Sequence, residues 1–167
     1  YAPKYYNGMP LGTPNDQGSG IRLGQSVGGK TDHMERVTAW RFLNPPLAFA
    51  QGIVVNSEGR RFCNEMVYGA TLGDAMCEDN GGKAYLIVDE SLLCDAKKQS
   101  KEALPFQRDM ARMLMYFNAR KRSNLIDLAN VYNLPADAID EEVEKYNKAA
   151  RSQSSCEFGK APADVKE

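Results

Sequence analysis

Only three short runs in this chain are apolar enough to be strands, and after the last of them every segment reads as helix. Gly52-Ile53-Val54-Val55-Asn56 predicts a strand, Ser57-Glu58-Gly59 a turn, and Arg60-Arg61-Phe62-Cys63 the returning strand. Tyr68 to Asp79 predicts a helix closed by Asn80-Gly81-Gly82, and Lys83 to Asp89 a third, buried strand. Strands gathered together and followed by helices, instead of alternating with them, predict an α+β fold: a small, mostly antiparallel sheet with flanking helices.

The rest of the chain fits that frame. The first 19 residues carry Pro3, Pro10, Pro14, Gly8, Gly12 and Gly18, so they are expected as loop, with Tyr1, Tyr5 and Tyr6 needing something to pack on. Ser19 to Lys30 predicts a short helix capped by Ser19. Leu43 to Ala50, interrupted by Pro45-Pro46, is expected to be irregular. Phe106, Met110, Met113, Leu114 and Phe117 share one helical face and are expected in the core, as are the methionines of the run Met110/Met113/Met115. Ser123 is expected to cap a helix through Tyr132, and Pro135 to start another running to about Arg151.

The most conspicuous motif conflicts with this organisation. Gly24-Gln25-Ser26-Val27-Gly28-Gly29-Lys30-Thr31 satisfies the pattern of a phosphate-binding P-loop, and Tyr85-Leu86-Ile87-Val88-Asp89-Glu90 resembles the strand that positions magnesium in such proteins. A P-loop must follow a buried strand, so that backbone amides and a helix N-terminus converge on phosphate. Here Asp16-Gln17-Gly18-Ser19-Gly20-Ile21-Arg22-Leu23 precedes Gly24, too polar and glycine-broken for a central strand. A nucleotide-triphosphatase is therefore the lesser alternative. The same glycines have a second account: Gly20, Gly24 and Gly28 at four-residue spacing leave a bare stripe on one helix face, suited to close approach by a neighbouring domain or a flat cofactor.

Charge and composition remove other classes. A net charge of −1 gives no basic field for nucleic acid or an anionic membrane, and the last helix carries Asp140, Glu141, Glu142 and Glu144. No apolar run approaches the roughly 18 residues of a membrane span. Cys63, Cys77, Cys94 and Cys156 form no Cys-x-x-Cys pair, and His33 is the lone histidine, so no metal site is expected. The thiols read as reduced, which points to the cytoplasm.

Gly20-Ile21-Arg22-Leu23-Gly24, then Gly28-Gly29, then Gly52-Ile53-Val54-Val55-Asn56 through Gly59-Arg60-Arg61-Phe62-Cys63-Asn64-Glu65 resembles the fumarate reductase / 3-ketosteroid dehydrogenase flavoproteins. The family's hairpin reads Gly-Ile-Leu-Val-Asn-x-x-Gly-x-Arg-Phe-x-Asn-Glu. Val143, Tyr146-Asn147 and Phe158-Gly159-Lys160 continue the likeness, which covers about Gly12 to Lys160. The resemblance implies that residues 1–167 are one substrate-capping domain, excised from a larger FAD-binding protein. FAD, held mainly by a separate flavin domain, would lie between cap and partner domain, taking a hydride while a cap side chain handles a proton.

The resemblance also implies roles by position. Gly18, Ser19 and Gly20 fall where the family's loop approaches FAD. Fumarate reductases place a proton-donating arginine soon after Asn-Glu, but here Met66-Val67-Tyr68-Gly69-Ala70 follows and the next arginine is Arg108. Ketosteroid dehydrogenases place a tyrosine there, which implies Tyr68 as the acid–base group. Packing at a helix start is the other reading of that ring. A phenol suits proton abstraction beside a ketone, being a base once ionised. Trp40, Arg41 and Phe42 are candidates to line an apolar slot for a steroid-like ketone, Trp40 being equally a core residue. Asn64 and Glu65 are expected to brace the hairpin, Glu65 pairing with Arg60 or Arg61. A 3-ketosteroid dehydrogenase is thus expected first, and a fumarate reductase/succinate dehydrogenase-type cap second.

Overall fold

The computed structural model describes residues 2–6, 8–10, 12–41 and 43–166. Among these, one two-stranded antiparallel sheet is surrounded by helices. Strands β1 (Ile53–Val55) and β2 (Tyr85–Ile87) pair with Ile53 opposite Ile87, Val54 opposite Leu86 and Val55 opposite Tyr85. All three residues of β1 are buried because it has core on both faces. Val54 packs with Phe49, Leu72, Met76 and Leu92, while Ile53 and Val55 pack with Tyr146, Ala149 and Val165. This two-sided burial is why its sequence is an unbroken apolar run.

The returning strand expected at Arg60–Cys63 does not form. Asn56 N–H reaches Arg60 O at 2.9 Å, and a single bridge joins Val55 to Arg61 before the chain leaves. Its place on β1 is taken by a side chain: Val54 N–H donates to Glu65 Oε1 at 3.0 Å. The turn itself is pressed onto the last helix. Gly59 has φ +73°, and a Cβ there would lie 3.0 Å from Ile139. The strand expected at Lys83–Asp89 is shorter, Tyr85–Ile87, and half-buried.

Helix α1 (Ser19–Ser26) is capped one residue earlier than expected, with Gly18 in the left-handed region as N-cap in place of Ser19. It ends four residues short of Lys30. Gly28 (φ +86°) donates to Gln25 O and Gly29 to Gly24 O, the paired bonds that stop a helix at a left-handed glycine. Gly28 is consequently a helix terminator, and the bare stripe is carried by Gly20 and Gly24 alone. The short α2 (Leu47–Ala50) makes a helical turn where irregular chain was expected. Helix α3 (Gly69–Asp79) closes through Asn80, Gly81 and Gly82 as the sequence implies.

After β2 come α4 (Glu90–Glu102), α5 (Pro105–Met113), α6 (Leu125–Val131) and α7 (Ala136–Arg151). The cap of α6 is Asn124, accepting from Asp127 N–H, in place of Ser123. The apolar face expected of α5 is split. Ala111 is buried and Leu114 and Met115 pack on the core, Met110 is half-buried, but Phe106, Met113 and Phe117 are exposed. A π-helical turn over Leu114–Asn118 breaks the 3.6-residue phase ahead of Phe117, while Phe106 and Met113 lie before it on α5. Tyr5 bonds to Asp74 and Glu78 of α3, Tyr6 is exposed, and Tyr1 lies outside the described residues.

The P-loop pattern is dismantled by the same elements. Gly24, Gln25 and Ser26 are the last turn of α1, and Lys30 and Thr31 follow its carbonyl end, where the helix dipole repels phosphate. Asp89 is the N-cap of α4, its Oδ1 accepting from Leu92 N–H at 2.7 Å. No helix among the described residues is long and apolar enough to cross a membrane.

Candidate functional site

Tyr68 is the N-cap of α3, placed there by the Asn64–Val67 turn in which Val67 N–H donates to Asn64 O and Met66 N–H to Asn64 Oδ1. Asn64 thus braces its own turn and the start of α3, and not the hairpin as expected. The Tyr68 ring is 64% exposed and meets Trp40 edge-on, with ring centroids 4.5 Å apart and planes at 73°. Trp40 is itself 40% exposed, more open than a core residue. The segment carrying Trp40 sits directly on α3. Arg41 N–H donates to Gly69 O at 3.0 Å, and a Cβ on Gly69 or Gly73 would come within 2.7 Å of Arg41 O or 2.0 Å of Ala39 O. Two glycines one helical turn apart therefore create the seat for residues 39–41. The structure brings Trp40 to Tyr68 and the Arg41 backbone to Gly69, while Phe42 lies outside the described residues.

Gly18, Ser19 and Gly20 form the N-terminus of α1. Gly18 supplies no side-chain cap, and the first turn holds no acid. The side-chain bonds here are local, Arg22 reaching Gln17 O and Ser19 Oγ. Every residue of α1 is exposed, and a Cβ added at Gly20 or Gly24 would meet nothing within 4 Å. A groove of about 300 Å³ runs along this bare side between Gly20, Gly24 and the following segment Gly29–Asp32. Uncapped amides at a helix N-terminus suit an anionic group such as a pyrophosphate.

Behind the hairpin lies a buried ionic cluster. Glu65 Oε1 accepts from Val54 N–H and from Arg61 Nε at 2.9 Å, while Oε2 accepts from Arg61 Nη2 at 2.9 Å and from Lys160 Nζ at 3.1 Å. Lys160 also donates to Gly52 O at 2.8 Å and lies 4.8 Å from the Tyr146 ring centre, and Tyr146 OH donates to Gln51 O at 2.7 Å. Burial pushes the Lys160 ammonium below its ordinary range against the pull of Glu65. Burial also opposes charge on Arg61, but there the two-point contact with Glu65 wins and holds the guanidinium above its usual value. Burial pushes the neighbouring Cys63 thiol up to about 12. The pairing expected for Glu65 is thus with Arg61, whereas Arg60 pairs with Glu141 and Glu142 of α7. The Lys160 contact had no local signal: a lysine between Gly159 and Ala161 reads as solvated, and only folding carries it back to β1.

The profile of the FAD binding domain family matches residues 2–165. The chain is 39% identical over 160 residues to the 3-oxo-5-alpha-steroid 4-dehydrogenase of Comamonas testosteroni, covering 95% of this chain and 30% of that protein. It is 24% identical over 160 residues to the cytochrome fumarate reductase of Shewanella frigidimarina, covering 87% of this chain and 25% of the relative. Among solved structures, it superposes on the 3-ketosteroid-delta4-(5alpha)-dehydrogenase of Rhodococcus jostii RHA1, determined in complex with 4-androstene-3,17-dione. The TM-score there is 0.75 at 26% identity, over 99% of this chain and 32% of that one. The open conformation of a flavocytochrome c3 fumarate reductase shares the fold, with TM-score 0.57, 21% identity and 86% of this chain covered. The chain spans between a quarter and a third of the length of these proteins.

Proposed function

This chain belongs to the FAD binding domain family, and from that premise we propose that it is the substrate-capping segment of a FAD-dependent 3-ketosteroid dehydrogenase that introduces a C=C bond next to a ketone. The observation that carries the proposal is the exposed Tyr68 phenol, standing at the N-terminus of α3 beside Trp40, in a chain 39% identical to a steroid dehydrogenase. FAD, when bound, supplies the acceptor for the hydride that leaves one substrate carbon. Tyr68 takes the proton from the adjacent carbon, which the ketone has made acidic, and passes it to solvent from its exposed edge. Trp40 and Arg41 form the wall of the steroid site beside it, the indole offering a flat apolar face to a fused-ring skeleton. Gly18, Ser19 and Gly20 hold an anionic part of the cofactor, and the bare side of α1 along Gly20 and Gly24 lets a flavin domain approach.

The test is Tyr68→Phe in the intact flavoenzyme. The ring and its contact with Trp40 remain, the hydroxyl goes, and turnover of a 3-ketosteroid falls by about 10²- to 10⁴-fold, the usual worth of a general base, at unchanged FAD content. Near-normal turnover would reduce Tyr68 to a packing residue. Offering fumarate with a reduced dye separates the second reading: fumarate turnover without steroid turnover would make this a fumarate reductase-type cap.

A further inference from the structure

A phenol that is 64% exposed at a helix terminus has two side-chain torsions and little around it to choose among their values. A base must nevertheless present its oxygen in one direction when the substrate arrives, because misorientation is paid in rate. We infer that Trp40 is the positioning residue for Tyr68: its indole, seated on α3 through Gly69 and Gly73, holds the phenol ring in a single edge-on orientation. The inference rests on the assignment of Tyr68 as the base. Three independent observations meet here. The ring pair is close, 4.5 Å between centroids at 73°, within the geometry in which aromatic quadrupoles attract. The indole cannot drift from α3, because Arg41 N–H is bonded to Gly69 O. The approach is also as tight as backbones allow, since a Cβ on Gly73 would lie 2.0 Å from Ala39 O and one on Gly69 3.3 Å from the Trp40 ring. Tyr68 and Gly69 are adjacent residues, so the element that carries the phenol is the one that fixes the indole.

A wall residue and a positioning residue lose different constants. If Trp40 only lined the substrate site, Trp40→Leu would raise KM and leave kcat. As the positioning residue, Trp40→Leu lowers kcat about three- to tenfold, the kinetic equivalent of the edge-to-face contact, on top of whatever rise in KM the lost wall brings. Trp40→Phe keeps an aromatic edge and restores most of the loss. Gly69→Ala, which leaves the indole present but displaces its seat, reproduces the loss of kcat. In the Tyr68→Phe background Trp40→Leu has no further effect on kcat, because the group it orients is already gone. All are measured in the intact flavoenzyme with a 3-ketosteroid, after matching FAD content and circular dichroism. A KM-only defect, full additivity with Tyr68→Phe, or no rescue by Trp40→Phe would each overturn the inference while leaving Tyr68 as the base. A Tyr68→Phe enzyme with normal turnover would instead overturn the assignment on which it rests.

Discussion

A carboxylate without water must collect its hydrogen bonds from the protein, and Glu65 does so from three different parts of the chain: Val54 of β1, Arg61 of the hairpin and Lys160 of the C-terminal return. The two cations are not equivalent partners. Arg61 binds both oxygens, a fork matched to the carboxylate, while Lys160 touches one and spends another donor on Gly52 O. This predicts an asymmetric response. Glu65→Gln leaves two buried cations facing a neutral amide and destabilises the fold by about 3–5 kcal/mol. Lys160→Met removes one charge, keeps the Arg61–Glu65 pair, and orphans Gly52 O, for a loss of about 1–3 kcal/mol. Urea unfolding of the two variants beside the parent chain checks the order. If Lys160→Met is the more damaging, then the lysine, and not the arginine, is what makes the buried carboxylate tolerable.

Among α1 to α7, α1 stands apart because every one of its residues is exposed. An eight-residue helix with two interior glycines is marginal by itself, each glycine costing about 1 kcal/mol relative to alanine. Gly24→Leu fills open space, since no atom lies within 4 Å of the new Cβ. It leaves the stability of this chain unchanged or raised by up to about 1 kcal/mol, while lowering FAD retention by the intact flavoenzyme as the side chain blocks the approach to α1. Unfolding of the chain itself would show that the stripe packs internally. These elements also mark how far the sequence could be read. Helices α3 and α7 were legible because glycines and Pro135 punctuate them and their apolar residues keep phase. The Arg60–Cys63 strand was misread because period-2 patterning cannot reveal that Glu65 would occupy the edge of β1. Gly28 was misassigned because four-residue spacing looks the same whether a glycine lies in a helix or ends it. For the site, Tyr68 and Trp40 were each visible as residues, but their contact spans 28 positions and depends on Gly69 and Gly73, whose small size signals close approach without naming the partner.

At the scale of the whole molecule, the two sides of β1 divide the interior, and the ionic cluster with Cys63 and Tyr146 lies at that divide. Stability should therefore report the protonation of these buried groups. Burial, with Glu65 adding to it, raises the Cys63 thiol from its ordinary value of 9.0 to about 12, so the folded state keeps a proton that the unfolded chain releases. The stability associated with the neutral thiol is complete below about pH 9 and is lost as pH climbs toward about 12. Burial raises Tyr146 as well, from 10.0, which adds a loss of the same sign above about pH 10. Lys160 works the other way: burial lowers it below 10.5, so the folded state sheds that proton first and gains relative stability as pH rises to that value. Below about pH 10 the Cys63 loss stands against the Lys160 gain, and above about pH 10 Tyr146 joins Cys63 while the Lys160 gain ends near 10.5, so these groups predict alkaline destabilisation that sets in above about pH 10. Cys63→Ala deletes the most strongly raised thiol and flattens the decline by up to about 1.4 kcal/mol per pH unit between about pH 9 and about pH 12, at the expense of a small packing loss at neutral pH. Urea midpoints of parent and variant measured from about pH 7 to about pH 11 give both slopes. Parallel curves would mean that the Cys63 thiol gains access to solvent before it ionises, and that the cluster is wetter than its burial implies.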